Sequence, residues 1–411
     1  MTAGKPTVLA KKKDLHDGRS VWADSHSTTV RTRKTLGNLT SEIVVVGGGI
    51  SGALCALELA SAGHDVVVVD RREPGTGSTI ASTAMIQFEL DTPFVELCEK
   101  IGSRRATRAY RRSLKAVSDL GELVKRYDID AGWRDRQALY LAGDEIGSRG
   151  LKQEVEARRR IKLPSEFLTK ADVADRYGID RTAAILSDGS AELDPARTAA
   201  SCLRVAQHFG AIIVSPCEIV DAALIKSGVE LRTATGATIT SKKVVFATGY
   251  EVVKGVPRDA FDIISSWAIA TQPLESGDFW PGRCLIWEAS DPYLYARTTI
   301  DNRILVGGED SGLVDPGRRA AAIPAKATAL LRKIQVLLNK PHLKIDYAWA
   351  GAFADSQTGL PIIKELPNLP GAMAILGCGG NGITFSTIAA QIVRQWASGK
   401  KDRDLDLFAG L

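Results

Sequence analysis

The sequence predicts an α/β protein of two domains, on three observations. A β–α–β unit with a glycine-rich first turn lies near its start, and a cleanly capped helix followed by a run of strands lies in its middle. The chain has 411 residues, 45% of them hydrophobic, which is more than one core ordinarily absorbs.

Residues 1–40 are polar and weakly periodic, and read as an arm laid over the body. From Glu42 the pattern sharpens. "EIVVVGG" is a short β-branched run suited to a buried parallel strand, "ISGALCALELASAG" is helical and stops at Gly63, and "HDVVVVD" is a second buried strand ending at Asp70.

Residues 92–185 read as mostly helical and rich in arginine. Arg104, Arg108, Arg111 and Lys115 share one helical face, which is ordinarily solvated and could alternatively bind an anion. In "ELDPARTAASCLRVAQHFGA", Asp194 can cap a helix, Pro195 fits its first turn and Gly210 can end it. "AIIVSP", "CEIVDAAL", "VELRTA" and "KKVVFATGYE" then read as strands. A hairpin turning at Asp301-Asn302 and a helix over about 323–339 precede the last stretch.

The formal charge of +5 is mildly basic, fitting an ordinary surface or an anionic partner. The 6 cysteines are scattered without a C-x-x-C pair, and the 5 histidines show no ligand spacing. Free buried thiols, a reducing compartment and no metal are expected. The charged N-terminus lacks a secretory apolar run and no apolar stretch reaches a membrane span, so a cytoplasmic protein is expected.

Gly47, Gly49 and Gly52 form G-x-G-x-x-G between a strand and a helix, with Asp70 at the end of the next strand. Gly47 permits the tight turn, Gly49 lets a pyrophosphate approach the backbone, and Gly52 lets helix and strand pack closely. The helix N-terminus, at Ile50 and Ser51, supplies N–H donors, and Asp70 can accept from ribose hydroxyls. Dinucleotide binding is the expectation; a glycine-rich turn without ligand is the alternative.

The loop does not separate NAD from FAD. "VVFATG" (244–249), "GTGSTIASTAMIQFE" and the late loop "ILGCGGNGITFS" do. With "DNRILVGG" and "WAGAFADSQTGLP", they make the chain from about residue 41 resemble the D-amino-acid oxidase superfamily of FAD enzymes, which includes glycine oxidase, sarcosine oxidase and γ-glutamylputrescine oxidoreductase.

The resemblance implies a two-dinucleotide-binding, Rossmann-like FAD domain assembled from residues 41–100, 186–260 and 346–411. It implies an inserted α+β substrate domain from 101–185 and 261–345. By it, Gly47 to Gly52 hold the pyrophosphate, Asp70 and Arg71 the adenosine ribose, and the backbone of Ile219 the adenine. Ser78, Thr79, Thr83, Ala84 and Met85 line the phosphate and flavin path, and Ala247, Thr248 and Gly249 lie beside the nucleotide. Gly377, Gly379, Gly380, Asn381 and Gly382, before a helix beginning near Ile383, meet the flavin ring, with Cys378 a small residue beside it.

The implied activity is FAD-dependent oxidation of the C–N bond of an amine or N-substituted amino acid, by hydride transfer to flavin N5, giving an imine that hydrolyses. Oxygen or another carrier would take the electrons. No side chain is singled out as catalytic.

On the substrate side, Tyr293, Tyr295 and Arg297 alternate along one strand, and Trp267 and Trp287 lie on nearby segments. They could form a pocket or an ordinary core. Arg297 could clamp a carboxylate or form a surface pair.

Phe353 stands where glycine oxidase and D-amino-acid oxidase have a carboxylate-anchoring arginine, which points to a larger or secondary amine. Residues 349–361 lack the cysteine that carries covalent flavin in some relatives, so non-covalent FAD is expected. Leu305 replaces the oxygen-activating lysine of sarcosine oxidase, which leaves oxidase and dehydrogenase open. A flavin module acting on modified RNA and a non-catalytic flavin-binding subunit are the alternatives, nucleic acid being the less expected partner.

Overall fold

The computed structural model describes residues 14–34, 37–251, 261–356 and 358–410. The expected arm and the "WAGAFADSQTGLP" segment therefore fall partly outside the described residues, as do residues 252–260 of the expected FAD domain.

An eight-stranded sheet carries the first glycine loop. Its central strand, Leu39–Val46, runs parallel to Val66–Val69 on one side and Thr238–Gly249 on the other, with Val44 opposite Val67 and Val244. These strands are valine-rich because both faces are covered, and Val44, Val45 and Val68 are fully buried. The helix Ile50–Ser61 is buried along most of its length and packs between the helices Pro195–His208 and Gly382–Ala397. Both glycine loops thus open onto one helical layer.

The helix Pro195–His208 begins as its sequence predicts. Asp194 accepts from the amides of Ala196 and Arg197, each at 2.9 Å. The helix expected at 323–339 is longer, spanning Pro316–Leu338 with Asp315 as its cap. Pro324 lies inside it, where it supplies no amide for the Ala320 carbonyl and its ring crowds that carbonyl.

The second sheet has ten strands. Its backbone is the antiparallel set Asp262–Thr271, Ile304–Ser311, Leu294–Thr298 and Ile345–Asp355. Three strands from the segment expected to be mostly helical join it: Arg134–Leu141, Ser165–Thr169 and Ala183–Glu192. Their alanines, serines and charges carry little β preference, and pairing overrides it.

Sheet membership also departs from the expected boundaries. Ala183–Glu192 crosses residue 186, and Ile345–Asp355, which falls in the expected FAD segment 346–411 from its second residue on, pairs in the second sheet. A strand's pattern reports its burial and says nothing of the neighbour with which it pairs.

The arm is partly a strand. His16–Arg19 pairs antiparallel with Ile345–Asp355, and the buried Trp22 donates from Nε1 to the Ser82 carbonyl at 2.6 Å. Arg33 bridges to Val214 in the other sheet. The basic helix face is used structurally: Arg108 pairs with Asp404 and Asp406, and Arg111 donates to the Ile161 carbonyl. The cysteines are free thiols.

Candidate functional site

A cavity of about 300 Å³ opens where the parallel strands end, at Val46, Val69 and Ala247–Gly249, and continues to the face of the second sheet. Both glycine loops line it.

Gly47 turns at φ +112°, and a Cβ there would collide with the Ala247 carbonyl. A Cβ on Gly52 would enter the Gly47 carbonyl, so Gly52 stands behind the wall and permits the close packing expected of it. Gly49, Ile50 and Ser51 bring the N-terminus of the first helix to the cavity. The Ile50 amide donates to Thr79 Oγ1 at 3.0 Å.

Asp70 braces this loop. One carboxylate oxygen accepts from the Gly48 amide at 2.6 Å and the other from the Arg72 amide at 2.8 Å. Burial pushes its pKa up, and these amides oppose the shift. Arg71 and Arg72 both pair with Glu251. Ile219 lines the wall next to Cys217 and Glu218.

The second loop folds back on residues 87–91. The Gly380 amide donates to Asp91 Oδ2 at 3.0 Å, and Asn381 Nδ2 donates to the Glu89 carbonyl at 2.7 Å. The helix Gly382–Ala397 begins with Asn381 as its cap residue and with Ile383 in its first turn. Gly379, Gly380, Asn381, Gly382 and Ile383 line the cavity, and Ser78, Thr79, Thr83, Ala84 and Met85 form its floor. Gly377 lies outside the lining. It turns at φ +66°, where a Cβ would crowd the Phe261 ring. Cys378 faces the cavity, and burial pushes its thiol up to about 12.

Trp267, Trp287, Tyr293, Tyr295 and Phe353 line the part formed by the second sheet. Trp287 stacks on Tyr140 at 3.7 Å, and the rings of Tyr293 and Tyr295 lie 5.6 Å apart. Gly307, opposite Tyr295 in the ladder, leaves room for that ring.

Arg297 is a correction: it is neither a carboxylate clamp nor half of a surface pair. Only 2% exposed, it donates to the carbonyls of Thr83 at 2.6 Å and Leu193 at 2.8 Å, with Glu192 3.7 Å away. Burial lowers its pKa to about 10. It shares the face of Tyr293 and Tyr295, but by its position that face has left the cavity and meets the backbone of the cavity floor.

Sequence reasoning missed Gln87, Asp91, Ser266 and Trp349, all of which line the cavity, and Leu15 from the arm. Gln87 and Asp91 directly continue the "GSTIASTAM" loop, the one signal that could have found them. Among the described residues no group of three acidic, cysteine or histidine side chains could hold a metal.

The cavity suits an extended dinucleotide. Glycines clear its wall, a helix N-terminus faces it, and Ser78 Oγ, Gln87 Nε2 and Asn381 Oδ1 are buried on it without a partner. Fold and cavity define a dinucleotide-binding α/β protein with a second sheet closing its ligand site.

The family model described as FAD dependent oxidoreductase (DAO) matches residues 42–396, and the chain belongs to that family. Its cofactor is FAD.

The chain is 25% identical over 387 residues to a glycine oxidase of Geobacillus kaustophilus, covering 89% of this chain and 95% of that protein. It is 24% identical over 387 residues to the γ-glutamylputrescine oxidoreductase of Escherichia coli, covering 91% and 87%. The crystal structure of glycine oxidase from Geobacillus kaustophilus superposes with a TM-score of 0.73 at 21% identity, covering 89% of this chain and 96% of that one. Among the described residues no helix is long and apolar enough to cross a membrane.

Proposed function

We propose that this oxidoreductase acts on the C–N bond of an amine or N-substituted amino acid. The observation that carries the reading is the continuity of the cavity. One space joins the two glycine loops to an aromatic wall of Trp287, Tyr293, Tyr295 and Phe353. Relatives named for glycine and for γ-glutamylputrescine support the same class.

The substrate carbon loses a hydride and its nitrogen a proton, and water hydrolyses the resulting imine to a carbonyl compound and an amine. FAD supplies the hydride acceptor. The chain's residues bind, orient and exclude water. An amine must be neutral to react, and an aromatic, water-poor wall favours its neutral form. Gly47 to Gly52 and Thr79 would take the pyrophosphate, and Asp70 the ribose. Gly379 to Gly382 would lie against the flavin ring, where the N-terminus of the last helix favours negative charge.

FAD would be held without a covalent bond. The cysteines on the described wall are Cys217 and Cys378, and burial pushes their thiols up to about 11 and about 12. Phe353 on that wall disfavours a simple α-amino acid, which would find no anchor there.

Anaerobic mixing of the flavin-loaded protein with a panel of amines and N-substituted amino acids tests the reading. Bleaching of the flavin by at least one is expected. If dithionite bleaches it and no amine does, the reading fails.

A further inference from the structure

Three successive carbonyls of the cavity floor are held by three buried side chains from three separate elements. Trp349 Nε1, on the strand Ile345–Asp355, donates to the Ala81 carbonyl at 2.9 Å. Trp22 Nε1, in the arm, donates to the Ser82 carbonyl at 2.6 Å. Arg297 Nε, on the strand Leu294–Thr298, donates to the Thr83 carbonyl at 2.6 Å. The Arg297 guanidinium also lies 5.1 Å from the centre of the Trp22 ring. The next residue, Ala84, is buried at φ +54°, a left-handed conformation that a residue with a Cβ keeps only where its surroundings impose it.

The bonds have a directional consequence. These peptides are trans, so each N–H points opposite the C=O of its own peptide group. Trp22 and Arg297 stand behind the wall, outside the cavity lining, whereas Thr83 lines it. The amides following the held carbonyls belong to Ser82, Thr83 and Ala84. That of Ser82 goes to the Thr79 carbonyl and that of Ala84 to the Ser82 hydroxyl. The Thr83 amide is not used inside the loop, and the bond from Trp22 to its peptide turns it towards the cavity. Thr79, one turn earlier, meets the first glycine loop through the Ile50 amide. Thr83 instead meets the aromatic wall: burial pushes the Tyr295 hydroxyl up to about 12, and hydrogen bonding with Ser266 and Thr83 opposes the rise.

The arm as a whole places Trp22. The strand His16–Arg19 ends just before it, and Ser20 caps the turn Val21–Asp24 by accepting from the Trp22 amide. Beyond that turn the Ser25 hydroxyl donates to Asp194 at 2.6 Å. Val21 and Trp22 pack with Ala268, Leu305 and Trp349 in a small core of their own.

We infer that Trp22 is a positioning residue for the flavin: through the Ser82 carbonyl it aims the Thr83 amide at the ring, and so raises the reduction potential of the bound cofactor. An N–H donor facing the ring stabilises the added negative charge of the reduced form more than it stabilises the oxidised form. The inference concerns the cofactor alone and stands whichever amine is the substrate.

The test measures the reduction potential of the FAD-loaded protein by equilibration with a reference dye, with no amine present. Trp22→Phe keeps an aromatic ring beside Arg297 and removes the indole N–H. It is expected to shift the ratio of oxidised to reduced flavin at a fixed potential about tenfold towards the oxidised form, which is about 30 mV downward for a two-electron couple. Val21→Ala loosens the same small core without touching the carbonyl. It is expected to lower the urea midpoint of the holoprotein and to leave the potential where it is.

An unshifted potential in Trp22→Phe overturns the inference, even where stability falls, by reducing Trp22 to a packing residue. Equal shifts in the two variants overturn it as well, since the docked arm and not the bond would then set the potential. Where Trp22→Phe fails to fold or to retain FAD, the wild-type chain decides, by hydrogen–deuterium exchange of the peptide holding Thr83, read by mass spectrometry with and without FAD. Slower exchange with FAD is expected, and equal exchange overturns the inference.

Discussion

The hydroxyl of Ser51, in the first turn of the first helix, lies 2.6 Å from that of Ser386, in the last helix, 335 residues away. Ser386 donates to the Gly382 carbonyl at 2.6 Å, so Ser51 is the donor between them. This bond fixes the first glycine loop against the second. Replacing either serine by alanine is expected to cost about 1 kcal/mol of holoprotein stability. Because both act through one contact, the double variant should cost less than the sum of the singles, read by urea unfolding in a double-mutant cycle.

Gly52→Ala tests the packing half of the first loop. Its methyl group would enter the Gly47 carbonyl, where only backbone could move. A loss of about 3 kcal/mol is expected, with purified protein carrying little FAD. Flavin released on denaturation, per mole of chain, measures it.

Arg297→Ala is expected to act on the fold. It leaves Glu192, 1% exposed, with its buried charge less compensated and strips the Thr83 and Leu193 carbonyls of their donor. Breaking such a buried pair costs about 3–5 kcal/mol. A variant of full stability that loses affinity only for carboxylate substrates would restore the clamp reading.

Asp310 gives a pH signature. Burial raises its pKa to about 6, with Asp91 adding to the rise and the Ser266 and Tyr293 hydroxyls and Lys326 opposing it. The folded state then holds its proton more tightly than the unfolded chain does. This residue's contribution to stability therefore falls as pH rises from the ordinary carboxylate range to about 6, and is flat above. Asp310→Asn should gain on the order of 3 kcal/mol relative to wild type at pH 8, and progressively less as pH falls below 6. Thermal melts at three pH values check the sign.

Local rules were legible in the sequence. The βαβ loop, the Asp194 cap and the second glycine loop each need only a few neighbouring residues, and each stands where its spacing predicts. Chemistry that depends on pairing was hidden. Tyr293 and Tyr295 reach the cavity, yet Arg297, on the same face two residues later, reaches buried carbonyls. Asp310 carried no pattern at all, because its partner Ser266 comes from another strand and Tyr293 lies just ahead of a third. The sheet holding Ile345–Asp355 could not be read either, since its neighbours lie some eighty residues upstream and over three hundred upstream.

The arm ties distant parts of the chain together. His16–Arg19 pairs with Ile345–Asp355 across more than three hundred residues, and Leu15, just ahead of His16, is part of the cavity's wall. The second glycine loop reaches the same wall from later still in the sequence. The cavity is therefore made of contacts with high sequence separation, and its closure is a late, long-range event of folding.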